Sequence, residues 1–481
     1  MHQLRQPVGC SSYLGAAGTR RSRRDARSTG TRRGILMPAW LLCLSLGLLL
    51  FAWLMDRAWL QIARWELQTA GEATALAAAH ALAHDGWLTS HPDTEALEQQ
   101  AMLLAMQMAG RHQAAQRPVS FDIHRDLVFN PPLTLLTNPL QKPWSQGVHV
   151  SIQLAHTQER GQPIPLWLSQ LTGAAWGDVV IETQATLDPH VVGVRPSPGT
   201  QIPLLPLAIL RQSLDPRRLD TWHQAIILEK GLDRWSWDVK QRQVLAQPDG
   251  IRELVLKTEP APRGGTSPIK AVSLSSASSG ATLPAEGEAV ASHSPAQNVR
   301  VLQMNTLIDS PERERWFRWG CTAEDLGPWG GAFRWWRIET QAEPPLIEEI
   351  YYPFDTHERL TSQEVAALQS LVGQVRLWWC YDEDPQQLGQ VARTPLSREA
   401  SDARQVRCHG MVSARIMSVT TQADGTTLIV VQPALYASRC FLTDQHVPAQ
   451  GLLYRLSLTR RDVSEPLSES ELQGVPPGFA Q

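Results

Sequence analysis

One stretch of this chain limits what the rest of it can become. Ile35 to Met55 is an apolar run without a single charged residue. About 20 such residues let a helix cross roughly 30 Å of hydrocarbon, so Ile35, Leu41, Leu48 and Met55 mark the length of an expected membrane anchor. A cluster of arginines directly precedes it: Arg20, Arg21, Arg23, Arg24, Arg27, Arg32 and Arg33. Basic residues beside a first span stay cytoplasmic. The expected topology is therefore single-pass in the inner membrane, with a cytoplasmic N-terminus and a periplasmic C-terminal bulk. A cleaved signal peptide is the competing reading, but its apolar core would be about 7–15 residues long and end at a small-residue cleavage site. This run is longer and continues into Asp56-Arg-Ala-Trp-Leu60 with no Ala-x-Ala site close behind. Trp53, Trp59 and Trp65 fall where an interfacial aromatic belt is expected. Pro38 sits in the first turn, where its missing N–H costs little.

The 481 residues are too many for one core, and two or three domains are expected. Net charge is only -3, but the first 33 residues carry eight arginines against one acid, Asp25. That block is too polar to fold alone and reads as a disordered cytoplasmic tail, 1–33. Its place directly before a span favours a topological role, so no nucleic-acid partner is expected. Two of the six cysteines, Cys10 and Cys43, lie in the tail and the span. Cys321, Cys380, Cys408 and Cys440 remain for the exterior. An even number in an oxidising compartment suggests two disulfides, with three connectivities open. Four buried free thiols are the alternative. No Cys-x-x-Cys spacing or histidine cluster supports a zinc site.

Behind the span (34–56), residues 57–115 read as helical. Leu60, Ala63, Leu67, Ala70, Thr74, Ala77 and Ala81 recur at three- and four-residue spacing and form a narrow, mostly alanine stripe. Such a stripe permits close approach but buries little area at about 25 cal/mol/Å². It needs its own domain or another subunit to pack on, and Leu60, Leu67, Ala70, Ala77 and Ala81 are the candidate packing residues. Gly86 is the expected cap, and a second helix is expected over Asp93–Gly110. From Gln116 the pattern turns to period two, with strands expected at Val119–Ile123, Val148–Leu154 and Val179–Ala185. A short helix is expected near Leu166–Leu171. Val191–Leu210, rich in proline, reads as an extended crossing segment, and Ala225–Leu256 as short strands. Residues 260–298 are rich in Ser, Ala, Gly and Pro and read as a linker. The fold expected is α+β: a transmembrane helix, an alanine-rich periplasmic helix, and two strand-rich lobes at 116–259 and 299–463. In the second lobe Ser362–Val372 reads as a helix. Arg415–Val419, Thr427–Gln432 and Leu452–Leu458 read as strands, with Asp424-Gly425 as a hairpin turn. Residues 464–481 read as a loose tail.

The order arginine-rich segment, apolar span, Asp56, then Arg64-Trp-Glu-Leu-Gln-Thr-Ala-Gly-Glu-Ala-Thr-Ala-Leu-Ala-Ala-Ala79 resembles the N-terminus of TadE/TadG-like proteins of tight-adherence (Tad/Flp) pilus assembly systems. Glu66, Leu67, Gln68, Ala70 and Glu72 hold the places that carry the resemblance, with Gly71 where the family has alanine and Thr69 where it has asparagine. Gly161–Leu166, Leu171–Gly173, Val191–Pro196 and Ile202–Ala208 are similar to segments of longer TadG-like exteriors. Gly320–Leu326, Gly330-Gly331 and Val430–Ala434 look like later ones. Two departures matter. A pseudopilin has a glutamate five residues after its cleaved glycine, but Gly34 is followed at that place by Ala39. The Asp-x-Ser-x-Ser site of an adhesive von Willebrand A domain does not occur. The resemblance therefore implies an anchored assembly component, whose partners are the lipid bilayer and other pilus-assembly or secretion proteins, or copies of itself.

Other candidate chemistry is weaker. His80 and His84 share a helix face, but the glutamate of a His-Glu-x-x-His site is missing, so solvated histidines are preferred. Asp382-Glu-Asp384 lacks the alternation and turn glycine of a calcium loop. Trp316, Trp319, Trp329, Trp335, Trp336, Trp378 and Trp379 could stack on sugars, but core packing is preferred. No nucleophile elbow, phosphate loop or dinucleotide fingerprint occurs. Neither a cofactor, a metal nor an enzyme activity is expected. An anchored carbohydrate or cell-wall binder, and an anchored periplasmic enzyme, are the alternatives to the pilus-assembly reading.

Overall fold

Helices and strands both form, as an α+β chain requires. The computed structural model describes residues 33–258, 297–304, 310–339, 344–357, 359–383 and 405–461. The expected basic tail, the 260–298 linker and the C-terminal tail thus lie largely or wholly outside the described residues. The described chain falls into two compact units. One comprises the N-terminal segment up to Ala58 together with Leu166–Ala175; the other comprises Trp59–Pro165 and the described residues from Trp176 on.

The first unit is built on helix α1, which runs from Arg33 to Leu82 and leaves this unit at Ala58. Its apolar residues face outward: Leu41 is 63% exposed, Leu48 54% and Met55 43%. Long apolar side chains left facing outward along a helical segment of this length suit a hydrocarbon surround. This helix is long and apolar enough to cross a membrane. Ile35 lies within it.

In the second unit the remaining residues of α1 enter a core. Ala63, Leu67, Ala70, Thr74, Ala78, Ala79 and Leu82 are buried. The candidate packing residues Leu67, Ala70 and Ala81 are buried, while Leu60 and Ala77 are only half-buried. The stripe drifts because 3.6 residues per turn do not keep a fixed three- or four-residue step. Its partner is intramolecular: Leu67, Ala70 and Ala81 share one apolar cluster with Val150, Ile152, Leu154 and Ile181 of two long strands. The helix ends at Leu82, not at Gly86, which falls in a 3-10 turn at Asp85–Leu88. Helix α2, Thr94–Ala109, begins where Asp93 caps it by accepting from the Ala96 N–H.

Two sheets organise this unit. A five-stranded sheet contains Leu127–Asn130, Val148–His156, Val179–Asp188, Leu453–Arg461 and Tyr436–Ser438. The expected strand at Val119–Ile123 does not form; Asp122 instead caps the short helix Ile123–Asp126. A seven-stranded sheet has Val375–Asp382 beside Leu204–Gln212, and also Val299–Gln303, Tyr352–His357, Gln405–Thr421, Thr427–Pro433 and Leu254–Lys257. Both sheets take strands from both sides of residues 260–298, so the expected division into two lobes gives way to one interleaved body. The pairing of Leu453–Arg461 with Val179–Asp188 makes the point residue by residue, from Arg455 opposite Asp188 to Arg461 opposite Glu182.

The seven-stranded sheet is covered on both faces. Leu205, Leu207 and Ile209 face one cluster, and Leu204, Ala208 and Leu210 the other. This explains why Ile202–Leu210 lacks an alternating pattern: a strand buried on both faces reads as a continuous apolar run. It is a central strand and not the extended crossing segment expected from its prolines. The expected helix at 362–372 forms over Ser362–Ser370 with a full capping box between Thr361 and Glu364. The Asp424-Gly425 turn forms with Gly425 at φ 84°.

Cys321, Cys380, Cys408 and Cys440 are free thiols. Cys380 and Cys408 sit on adjacent strands, but Trp379, Tyr381 and Cys408 face one cluster while Cys380, between the first two, faces away. A disulfide between them would need the backbone to move. Cys321 is buried, and Cys440 Sγ lies 3.9 Å from Thr200 Oγ1.

Candidate functional site

A cavity of about 270 Å³ opens beside the inner strands of the seven-stranded sheet. Cys380, Arg211, His409 and Glu349 line it, against apolar walls that include Met411 and Leu452. The strands place these side chains. Arg211 ends the apolar run at 204–210, Asp382 ends the parallel neighbour, and the two meet as a bidentate pair, Nη2 to Oδ2 at 2.7 Å and Nε to Oδ1 at 3.2 Å. Asp382 also accepts from the Gln212 N–H. Burial lowers the basicity of Arg211, but the hydrogen bond and charge of Asp382 more than offset it.

His409 is 3% exposed, and neither ring nitrogen has a hydrogen-bond partner among the described residues. Its Nε2 stands 3.4 Å from Asp382 Oδ2, close enough for attraction but without hydrogen-bond geometry. Burial and the nearby Arg211 charge depress its pKa, so the imidazole is held neutral. Tyr351 packs its ring at 5.1 Å and donates to Glu349. The Nε1 atoms of Trp335 and Trp336, which also line the cavity, are buried without partners among the described residues.

Burial pushes the Cys380 thiol up to about 12, far from the thiolate a nucleophile needs. Among the described residues, no serine or threonine lines the cavity beside the neutral histidine.

A second cavity, about 470 Å³, lies where the C-terminal end of α1 meets Val375, Arg415 and Gln432 of the seven-stranded sheet. Asp85 accepts from Arg415 Nη2 at 2.5 Å and from the Leu435 N–H at 2.9 Å. Arg415 also bonds the Gly373 carbonyl and lies 4.6 Å over the Trp237 ring. Gln432 donates to Asp249. Burial, then the charges of Asp233 and Asp85, raise Asp249 to about 6. Burial likewise raises Glu253 to about 7, although its Oε1 accepts from the Arg234 and Trp235 N–H groups.

The residues singled out in the sequence land elsewhere. His84 lines this second cavity, but its Nδ1 is taken by the Gly86 N–H, while His80 is exposed. No cluster of three or more metal-ligating side chains occurs among the described residues. Asp382 and Glu383 are occupied by arginines: Glu383 accepts from Arg218 Nη1 at 2.6 Å and from Ser213 at 2.5 Å. Trp316, Trp335, Trp378 and Trp379 are buried, while Trp319 is 61% exposed. Arg211, His409, Asp85, Arg415, Asp249 and Glu253 were not foreseen. The available signal was a charged or histidine residue ending or interrupting a strand pattern, as in Leu210-Arg211 and Cys408-His409.

Comparison with family models, with curated proteins and with solved structures gave no match.

Proposed function

We propose that this protein is a non-catalytic, single-span inner-membrane component of a Tad/Flp-type pilus assembly or secretion apparatus, with its strand-rich unit in the periplasm. One observation carries the reading furthest. A single helix holds both the lipid-length apolar segment and Arg64–Ala79, the segment with the TadE/TadG-like pattern. Within that segment Leu67, Ala70, Thr74, Ala78 and Ala79 are buried, and Glu66 accepts from the Ala115 N–H at 2.7 Å. The pattern thus coincides with residues that seat the helix in its own exterior unit. Contact with the machinery falls to the exterior surface and its cavities, not to the alanine stripe.

The test is genetic and topological. Deleting the gene should abolish surface fibres seen by electron microscopy, and the full-length gene should restore them. A deletion strain with a normal fibre count would refute the reading. A C-terminal reporter phosphatase that is active only outside the cytoplasm should be active, and an inactive reporter on a stable fusion would reverse the orientation.

A further inference from the structure

The segment Leu166-Trp-Leu-Ser-Gln-Leu-Thr-Gly-Ala-Ala175 contains no charged residue. Two of its largest apolar side chains face outward, Trp167 at 67% and Leu171 at 51% exposure. Yet it is an ordered loop. The Leu166 N–H donates to the Ala175 carbonyl at 3.2 Å and closes the base. A helical turn at Ser169–Thr172 ends at Gly173, whose φ of 75° suits glycine.

Asp56 holds this loop. Its Oδ1 accepts from the Leu168 N–H and its Oδ2 from the Thr172 hydroxyl, each at 3.2 Å. Asp56 is 5% exposed. It takes the N–H of the N-cap residue Leu168, the bond that an N3 side chain makes in a capping box.

The position of Asp56 along α1 sets the depth of the loop. Met37 to Met55 rises about 28 Å at 1.5 Å per residue, close to the roughly 30 Å of a hydrocarbon core. Asp56 therefore marks the end of the lipid-length segment. The headgroup layer beyond is roughly 5–8 Å thick on each side. A loop within one hydrogen bond of Asp56 lies in that layer whichever side of the helix it occupies, because lipid surrounds a single span. Trp53, 52% exposed with the Arg57 guanidinium 5.4 Å over its ring, marks the same level on α1.

We propose that Leu166–Ala175 is a membrane-facing foot whose Trp167 and Leu171 insert into the lipid headgroup layer at the outer end of the span. The proposal rests on the membrane-span reading of α1. It commits to lipid because the apolar loop is clipped to the end of an apolar helix of lipid length, and because tryptophan favours this layer.

Full-length protein carrying Cys10→Ser, Cys43→Ser and Cys440→Ser is reconstituted in phosphatidylcholine–phosphatidylglycerol vesicles. An environment-sensitive fluorophore is attached at Leu171→Cys, at Leu48→Cys or at the exposed polar position Gln241→Cys. Quenching is read with nitroxide lipids labelled near the headgroup or near the acyl-chain end, and with aqueous iodide. The label at 171 should be quenched most by the headgroup-level nitroxide, with blue-shifted emission relative to 241. The label at 48 should be quenched most by the chain-end nitroxide. If 171 behaves like 241 while 48 is quenched deeply, the foot is refuted and the span stands. If 171 is shielded from both lipid and iodide, another protein copy covers it, and the proposal is overturned. If 48 is not reached by the chain-end nitroxide, the span itself fails and the foot with it. Trp167→Cys repeats the reading at a second exposed position, and Asp56→Ala should release the loop and reduce headgroup-level quenching at 171.

Discussion

Gly71 offers the most direct check on how the alanine-rich helix is seated. A Cβ built there would stand 2.7 Å from Ile181 Cδ1, 3.0 Å from Thr183 Oγ1 and 3.2 Å from Thr183 Cγ2. The resembling family has alanine at this place, so Gly71→Ala is the natural substitution. Two effects oppose each other. Replacing glycine inside a helix gains about 1 kcal/mol of propensity. Overpacking a buried contact costs about 1–3 kcal/mol, and here Ile181 and Thr183 are both buried and stiff at χ1. The expected net is a loss of about 1 kcal/mol from these opposing terms. Ile181→Val alone should cost about 0.5–1.5 kcal/mol as a buried methyl deletion. It also removes the atom nearest the new Cβ, so the double variant should be more stable than the sum of the singles by about 1 kcal/mol, the size of coupling found between touching residues. The assay is urea unfolding of the full-length chain in detergent micelles, followed by tryptophan fluorescence. Additivity within about 0.5 kcal/mol, or a gain from Gly71→Ala equal to the full helix propensity, would refute the close approach of the helix to the strand Val179–Asp188.

Three further outcomes are expected. Glu253 is raised from 4.5 to about 7 and Asp249 from 3.8 to about 6, so the folded state binds more protons than the unfolded chain between those values. Their contribution to stability is therefore fullest below pH 4 and lost as pH rises to about 7. Glu253→Gln should flatten that slope in thermal unfolding scans, and an unchanged slope would show that Glu253 ionises normally. Arg415→Met should cost about 2–3 kcal/mol in the urea assay, less than the roughly 3–5 kcal/mol of a broken buried pair, because Asp85 keeps the Leu435 N–H. A cost near zero would show the pair to be solvent-screened. His409→Phe should leave the thermal midpoint unchanged or raised, since it removes two buried nitrogens without partners among the described residues; a fall of several degrees would mean that the imidazole is hydrogen-bonded in solution.

Much of the local structure is legible from the residues. Helix α2 follows from Asp93 and its apolar spacing, the 362–370 helix from the Thr361/Glu364 capping box, and the hairpin at Asp424-Gly425 from its turn chemistry. These signals lie within a few residues of one another, and sequence displays them directly. Sheet membership is different. The run Ile202–Leu210, with two prolines, gives no hint that it pairs with both Val299–Gln303 and Val375–Asp382, because a doubly covered strand loses the alternation that marks one face. The candidate sites were hidden for the same reason: His409 and Arg211 are far apart in the chain, and register alone brings them to one cavity.

The sequence by itself determined the membrane-length helix, the helical continuation behind it and the α+β character, since length and periodicity of apolar residues suffice for these. It could not choose the partner of the alanine stripe. An alanine face is compatible with any close neighbour, and only the tertiary structure assigned it to the chain's own strands, through the approach at Gly71. Nor could it explain Asp56, an acid at the end of an apolar run that reads in sequence simply as the end of a span. Only contact with a loop more than a hundred residues away, through Leu168 and Thr172, turned that acid into a clamp.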